Sequence, residues 1–351
     1  MTNEYNSLSE WFTATANAIR SKTGSTELIS AYDFPEAIEA ISVDAGGSAC
    51  KEWFNDGDTH VWISLSEGRT SPVLGIGVNG TVTVDWGDGT EPNVLTGTST
   101  DTTRWTPIHN YTAPGDYVIT LSCDGEIGIT ATTSYGTYLL VAKSTDGDYR
   151  SYAYRNAITK VECGNNVTSL QSGAFQGCTS LKQVVLPKGI TTLPSNVFRN
   201  CRSLESINIP DGVTAIESYA MYNCTALTNI IIPNSVTTLG HYAFQYCYAL
   251  TSVTIFGDIS KWGSSVFDNC SSLVSVVVFG NVTVIGEYAF LQCRAVAYYD
   301  FTSHTAVPTL KSANAFSNIP SDCEIRVPAA LVDEWKETTN WSTYAGCIVG
   351  V

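Results

Sequence analysis

Six cysteines, Cys178, Cys201, Cys224, Cys247, Cys270 and Cys293, follow one another at intervals of 23 residues. Two further columns keep the same period. Phe175, Phe198, Met221, Phe244, Phe267 and Phe290 stand three residues before the cysteines, and Leu181, Leu204, Leu227, Leu250, Leu273 and Val296 three residues after them. A fixed period in the twenties marks stacked supersecondary units, each too small to bury its own apolar face. In the unit Leu204-Glu205-Ser206-Ile207-Asn208-Ile209-Pro210, side chains alternate along a strand, so Ile207 and Ile209 point to one face and Ser206 and Asn208 to the other. Val213, Ile216, Ala220 and Met221 form a second apolar set returning toward that strand. Stacking such coils gives a continuous core and a parallel strand ladder spaced at ~4.8 Å. The period predicts a solenoid over residues 159–296.

The unit I-P-x-x-V-T-x-I-x-x-x-A-F-x-x-C-x-x-L resembles the BspA-like class of leucine-rich repeats. The cleanest copy runs from Ile232-Pro233 through Val236-Thr237 and Ala243-Phe244 to Cys247. Later copies place Phe256 and Phe279 at the proline position and Trp262 at the second aliphatic anchor. The resemblance implies a mainly β solenoid that presents a binding surface. The cysteine column admits two readings, a disulfide or metal ladder and a row of small buried thiols. Metal sites use short loops such as C-x-x-C, which this spacing lacks, and buried free cysteine behaves as a small hydrophobe. The second reading is therefore preferred, and Cys163 falls at an inward strand position of the same kind.

The flanks differ from the repeat. Residues 297–351 read as a C-terminal cap: Ala297 to Phe301 forms a strand, Ala315-Phe316 repeats the A-F pair, and Pro328 opens a short helix carrying Leu331, Val332 and Trp335, with Trp341 packed nearby. This tail resembles the ends of BspA-like proteins of Firmicutes phages and prophages. Upstream, Val82-Thr83-Val84-Asp85-Trp86-Gly87-Asp88-Gly89-Thr90 alternates and then turns at Asp88-Gly89, followed by His109-Asn110-Tyr111 and Gly115-Asp116-Tyr117. Together these resemble a PKD-like β-sandwich over 51–142, joined to the solenoid by a linker or N-terminal cap at 143–158. Asp85 and Asp88 are too few for the roughly six to eight oxygens calcium takes, and turn hydrogen bonds account for them better. Residues 1–45 carry a capping box at Ser7-Leu8-Ser9-Glu10, helical spacing through Trp11, Phe12, Ala18 and Ile19, and a second helix start at Asp33-Phe34-Pro35-Glu36. Two short helices are too small to fold alone. The segment resembles an N-terminal stretch of Firmicutes phage-tail proteins, which implies an attachment role. Residues 46–50 form a linker.

Net charge is −15, and no Lys/Arg cluster exists. Nucleic acid and anionic membrane surfaces are thereby disfavoured as partners. No apolar run is long enough to span a membrane, and no export signal is visible at the start. The expectation is a virion tail protein made in the host cytoplasm, with a bacterial cell-surface adhesin as the alternative and an enzyme bearing a solenoid module as a third reading. His60, His109, His241 and His304 are scattered, and Gly75 to Gly80 fits G-x-G-x-x-G but precedes no helix. No catalytic motif, cofactor or metal site is expected. The candidate ligand contacts are the outward strand positions Gln183, Ser206, Asn208, Asn229, Ile231, Ser252, Thr254 and Ser275, with Val185 and Val277 in the same rows. Such a neutral face suits a glycan, and equally suits a merely solvated sheet. Tyr219, Tyr242 and Tyr288 form an aromatic column, read as packed or as a sugar-stacking platform. The expected partners are a host cell-surface glycan or protein, other tail proteins through the N-terminal segment, and, in a homo-oligomer, further copies of the chain.

Overall fold

The computed structural model describes residues 57–105, 107–129, 139–141 and 152–351. The expected N-terminal helices at 1–45 and the linker at 46–50 lie outside the described residues.

The repeat folds as a coil with three hydrogen-bonded sides. The first side is a parallel strand ladder built from β7 (Ile158–Glu162), β9 (Gln183–Val185), β11 (Ser206–Ile207), β13 (Asn229–Ile232), β15 (Ser252–Ile255), β17 (Ser275–Val278), β19 (Tyr298–Asp300), β21 (Glu324–Val327) and β22 (Ile348–Gly350). Alternation does what the sequence requires: in β13 the pattern is exposed, buried, exposed, buried, with Ile230 and Ile232 inside. The second side consists of two-residue strands, β10 (Thr192–Leu193), β12 (Ala215–Ile216), β14 (Thr238–Leu239) and β16 (Lys261–Trp262), paired in that order, and then β18 (Val284–Ile285) with β20 (Thr309–Leu310). Each buries its second residue.

The third side carries the A-F pair and is built on left-handed backbone. Asn196, Tyr219, Tyr242, Ser265 and Tyr288 have φ of 55–60°, and Asn200, Asn223, Tyr246, Asn269 and Gln292, four residues further on, have φ of 60–64°. These two turns aim alternate amides along the solenoid axis. Phe198 N donates to Ala220 O at 2.8 Å, Phe244 N to Val266 O at 2.9 Å, and Asn223 N to Gln245 O at 2.8 Å. The phenylalanines stack between coils, with ring centroids 5.1 Å apart for Phe244–Phe267 and 5.3 Å for Phe267–Phe290. Met221 interrupts the stack and is fully buried.

Upstream lie β1 (Thr59–Leu65), β2 (Val73–Asp85), β3 (Asn93–Trp105), β4 (Gly115–Cys123), β5 (Glu126–Ile129) and β6 (Leu140–Val141), while β8 (Val167–Leu170) follows β7 in the first coil. Strand β2 pairs antiparallel with β3, β4, β5 and β6. Val61, Ile63, Ile76, Val78, Val82, Val84, Trp86, Ile119 and Leu121 supply the core. This module does not stand apart from the repeats. Strand β1 pairs antiparallel with β7, and β5 pairs parallel with β8, so the first coil is hydrogen-bonded to the module on two sides. Gly164 sits at the junction, where its amide donates to Thr59 Oγ1 at 2.9 Å. A single hydrophobic cluster extends from Val61 to Ile348.

At the far end the strand ladder runs on past Val296. Tyr298 pairs with Glu324, 26 residues on, so this coil is three residues longer than the others. A short helix α1 (Val332–Glu337) then packs Trp335 against Phe301, and the 3-10 turn Trp341–Tyr344 packs Trp341 against Phe316. Trp341 Nε1 donates to Pro308 O at 2.7 Å, and the Tyr344 hydroxyl donates to Ala313 O. These aromatic groups cover apolar surface that another coil would otherwise bury.

Candidate recognition face

The outward side chains of the strand ladder fall into two rows fixed by register. One row runs Lys160, Gln183, Ser206, and, after the short break between β11 and β13, Asn229, Ser252, Ser275, Tyr298 and Glu324. The other holds Val185 and then Ile231, Thr254, Val277, Asp300 and Arg326. Gln183, Ser206, Asn208, Asn229 and Ile231 are exposed, and Ser252, Thr254 and Ser275 are half-buried. Asn208 lies just beyond the end of β11. Val277, expected on the outside, is buried instead; it sits between Thr254 and Asp300, and its short branched side chain does not reach past them. Through the middle of this face no side chain is charged. Exposed apolar groups remain on the face, with Val185 near its start at 37% and Ile231 in its middle at 39% of full exposure.

The tyrosine column lies on the A-F side of the coil. Tyr219 and Tyr242 stack on each other at 4.8 Å, and the Arg199 guanidinium lies 5.2 Å from the Tyr219 ring and 5.0 Å from that of Tyr222. One ring face of each is thus covered by the other, and Arg199 also lies over Tyr219. Tyr288 is separated from them by the buried Ser265 and is exposed. The structure brings Tyr219 and Tyr242 together and leaves Tyr288 apart.

The cysteines are free thiols inside the solenoid. Cys201 Sγ donates to Phe175 O at 3.0 Å, Cys224 to Phe198 O at 3.2 Å, and Cys293 to Phe267 O at 3.2 Å. Each thiol thus reaches a carbonyl of the preceding coil. Burial pushes the thiols of Cys178 and Cys247 up to about 12 and those of Cys201, Cys224 and Cys270 well above their ordinary value. A thiol held protonated is neither nucleophile nor metal ligand at neutral pH.

In the upstream module the W-G-D-G-T carboxylates make turn hydrogen bonds. Asp85 Oδ1 accepts from Gly87 N at 2.8 Å, and Asp88 Oδ1 accepts from Thr90 N at 3.2 Å and from its hydroxyl at 2.7 Å. Asp88 Oδ2 faces His109 Nε2 at 2.9 Å, and the His109 ring stacks on Trp86 at 4.6 Å. Tyr111 closes the group by donating to Trp86 O at 2.9 Å. Among the described residues no group of three or more His, Cys, Asp or Glu side chains is placed to hold a metal ion. No described helix is long and apolar enough to cross a membrane.

Sequence reasoning missed the C-terminal end of the face. There Tyr298, Glu324 and Arg326 stand together, with Arg294 and Asp322 beside them around a cleft of about 420 Å³. Tyr298 lies one 23-residue period after Ser275, so extending the column would have found it. Glu324 and Arg326 were hidden by the three-residue insertion.

Stacked coils, a parallel strand face and an A-F side define a leucine-rich-repeat solenoid. A model of the BspA type leucine rich repeat region matches six copies, over residues 148–274 and 191–324, which together span half of the chain. The chain belongs to the BspA-type leucine-rich-repeat family, a membership consistent with a binding role. Among solved structures it is similar to a leucine-rich-repeat protein of T. pallidum, with 24% identity, 56% of this chain and 83% of that one covered, and a TM-score of 0.40. A leucine-rich-repeat protein of Bacteroides ovatus shares 23% identity over 55% of this chain and 66% of its own, with a TM-score of 0.32. The pneumococcal vaccine antigen PcpA shares 17% identity over 66% of this chain and 47% of its own, with a TM-score of 0.37. No curated protein matches the chain.

Proposed function

We propose that this chain is a non-catalytic binding protein that recognises a host cell-surface glycan or protein through the outer face of its strand ladder. The observation that carries the reading is the composition of that face. Side chains there are amides, hydroxyls and exposed aliphatic groups in register, Val185 and Ile231 among them, a mixture that suits a glycan or protein surface. The upstream module, with its W-G-D-G-T turn, is read as PKD-like, and it holds the solenoid rather than contributing chemistry.

The carrier is a phage or prophage tail in this reading, supported by the resemblance of residues 1–45 to tail-protein N-termini. A bacterial cell-surface adhesin is the alternative, supported by the repeat family. Mass spectrometry of purified particles and of protease-shaved cells of the producing strain separates the two. The tail reading expects peptides of this chain in the particles. Their consistent absence there, with recovery from the shaved surface, would replace it with the adhesin reading.

A further inference from the structure

We infer that the cleft at the C-terminal end of the strand face is a saccharide subsite that takes a neutral hexose with vicinal hydroxyls. The inference rests on the reading of the strand face as the recognition surface and adds to it a position and a ligand class. The cleft is formed where the two outward rows meet the longer coil, and Arg294, Tyr298, Pro320, Asp322, Glu324 and Arg326 line it. Arg326 Nε donates to Glu324 Oε2 at 2.8 Å, and the Arg326 guanidinium lies 4.1 Å from the centre of the Tyr298 ring. These contacts fix the orientation of both charged groups while leaving them accessible, at 35% and 47% of full side-chain exposure. On its other side Tyr298 has Ser275 as its strand neighbour, a side chain too small to cover a phenol ring.

The charges decide the ligand class. Two guanidiniums and two carboxylates leave the cleft with no net charge. An anion would meet Asp322 and Glu324, and a cation would meet Arg294 and Arg326. An apolar ligand would strip water from four charged groups without replacing their hydrogen bonds. A neutral polyol satisfies both kinds, because its hydroxyls donate to the carboxylates and accept from the guanidiniums. The fixed Glu324–Arg326 pair offers acceptor and donor side by side, which suits two adjacent hydroxyls. Tyr298 then holds the Arg326 guanidinium in place with one ring face, and its other face, beside Ser275, is left open to the C–H face of a sugar at the edge of the cleft. Nothing in this arrangement resembles the uncharged middle of the face, so the cleft is the place along the ladder where polar geometry is specific.

The test is saturation-transfer NMR on the full chain with the methyl glycosides of mannose, galactose and glucose as probes. Transfer to at least one glycoside is expected. Tyr298→Ala and Glu324→Gln are each expected to reduce it roughly five-fold or more, and Tyr298→Phe, which keeps the ring, to retain most of it. Lys261→Ala, an exposed position on the second side of the coil and off the strand face, is expected to leave it unchanged. Thermal melts matching the parent chain confirm that the variants are folded. Absence of transfer to all three glycosides, or transfer unaffected by Tyr298→Ala and Glu324→Gln, would overturn the subsite. Either result is distinguishable from failure of the face itself. Binding of the full chain to cells that is lost in Ile231→Arg would keep the face as the recognition surface with the cleft excluded.

Discussion

At the scale of single residues, the buried cysteines and one histidine make definite chemical predictions. The column thiols are enclosed and held protonated by burial, so iodoacetamide should leave Cys201, Cys224, Cys247, Cys270 and Cys293 unmodified in the native chain and modify all five in denaturant. Peptide mass spectrometry reads this directly, and rapid native labelling of the column would contradict the packing. The 23-residue spacing made the column legible in the sequence. What it did not show was the Sγ–H contact to the preceding coil, because a backbone carbonyl carries no residue code. His304 was legible only as a lone histidine. In the structure it is buried beside Phe301 and Trp335, and its Nε2 accepts from Val282 N at 3.3 Å. Burial lowers its pKa from 6.5 to about 4, against a smaller opposing pull from the Phe301 backbone, Asp258 and Asp300. The neutral ring therefore favours the fold fully above pH 6.5, and this contribution is lost as pH falls toward 4. His304→Gln keeps an acceptor for Val282 without the titration. Calorimetry from pH 7 to pH 4 should show the parent chain losing about 2–3 kcal/mol more than the variant; parallel pH curves would show that the ring does not titrate in this range.

At the scale of the element, the coil was partly legible. The apolar positions on the first two sides were read from alternation and period, and the structure places them inside. The third side was read only as an A-F anchor. Its two left-handed turns had a signal in Gly177, Asn200, Asn223 and Asn269, residues that tolerate positive φ. Tyr246 and Gln292 occupy the same column and mask it. Tyr219, Tyr242 and Tyr288 likewise occupy the left-handed position that Asn196 fills in an earlier coil, so a column read as aromatic is also a backbone column. The joint between module and solenoid was not legible at all, since strand pairing between β1 and β7 links residues about a hundred positions apart. It gives a sharp test. A Cβ on Gly164 would lie 2.2 Å from Gly57 O and 2.6 Å from Asp58 O, both backbone atoms. Gly164→Ala should cost about 1–3 kcal/mol by overpacking, with hydrogen exchange rising first in β7 and β8. An unchanged melt would mean that the joint is loose.

At the scale of the whole molecule, both ends of the solenoid are covered. The upstream module pairs with the first coil, so the parallel strand edge at the start of the ladder is covered, and Trp335 of α1 with Trp341 of the following turn closes the last coil. The product is a long, nearly uncharged face with a charged cleft at one end, and the proposed recognition is assigned to that surface. Its central claim is tested most directly by flow cytometry of the fluorescently labelled full chain on a panel of Firmicutes cells, comparing the parent with Ile231→Arg. Binding to at least one strain is predicted, with Ile231→Arg reducing it about ten-fold or more, because a charge is placed in the centre of a desolvated contact. Equal binding of parent and variant on every strain that binds would contradict the assignment of recognition to this face.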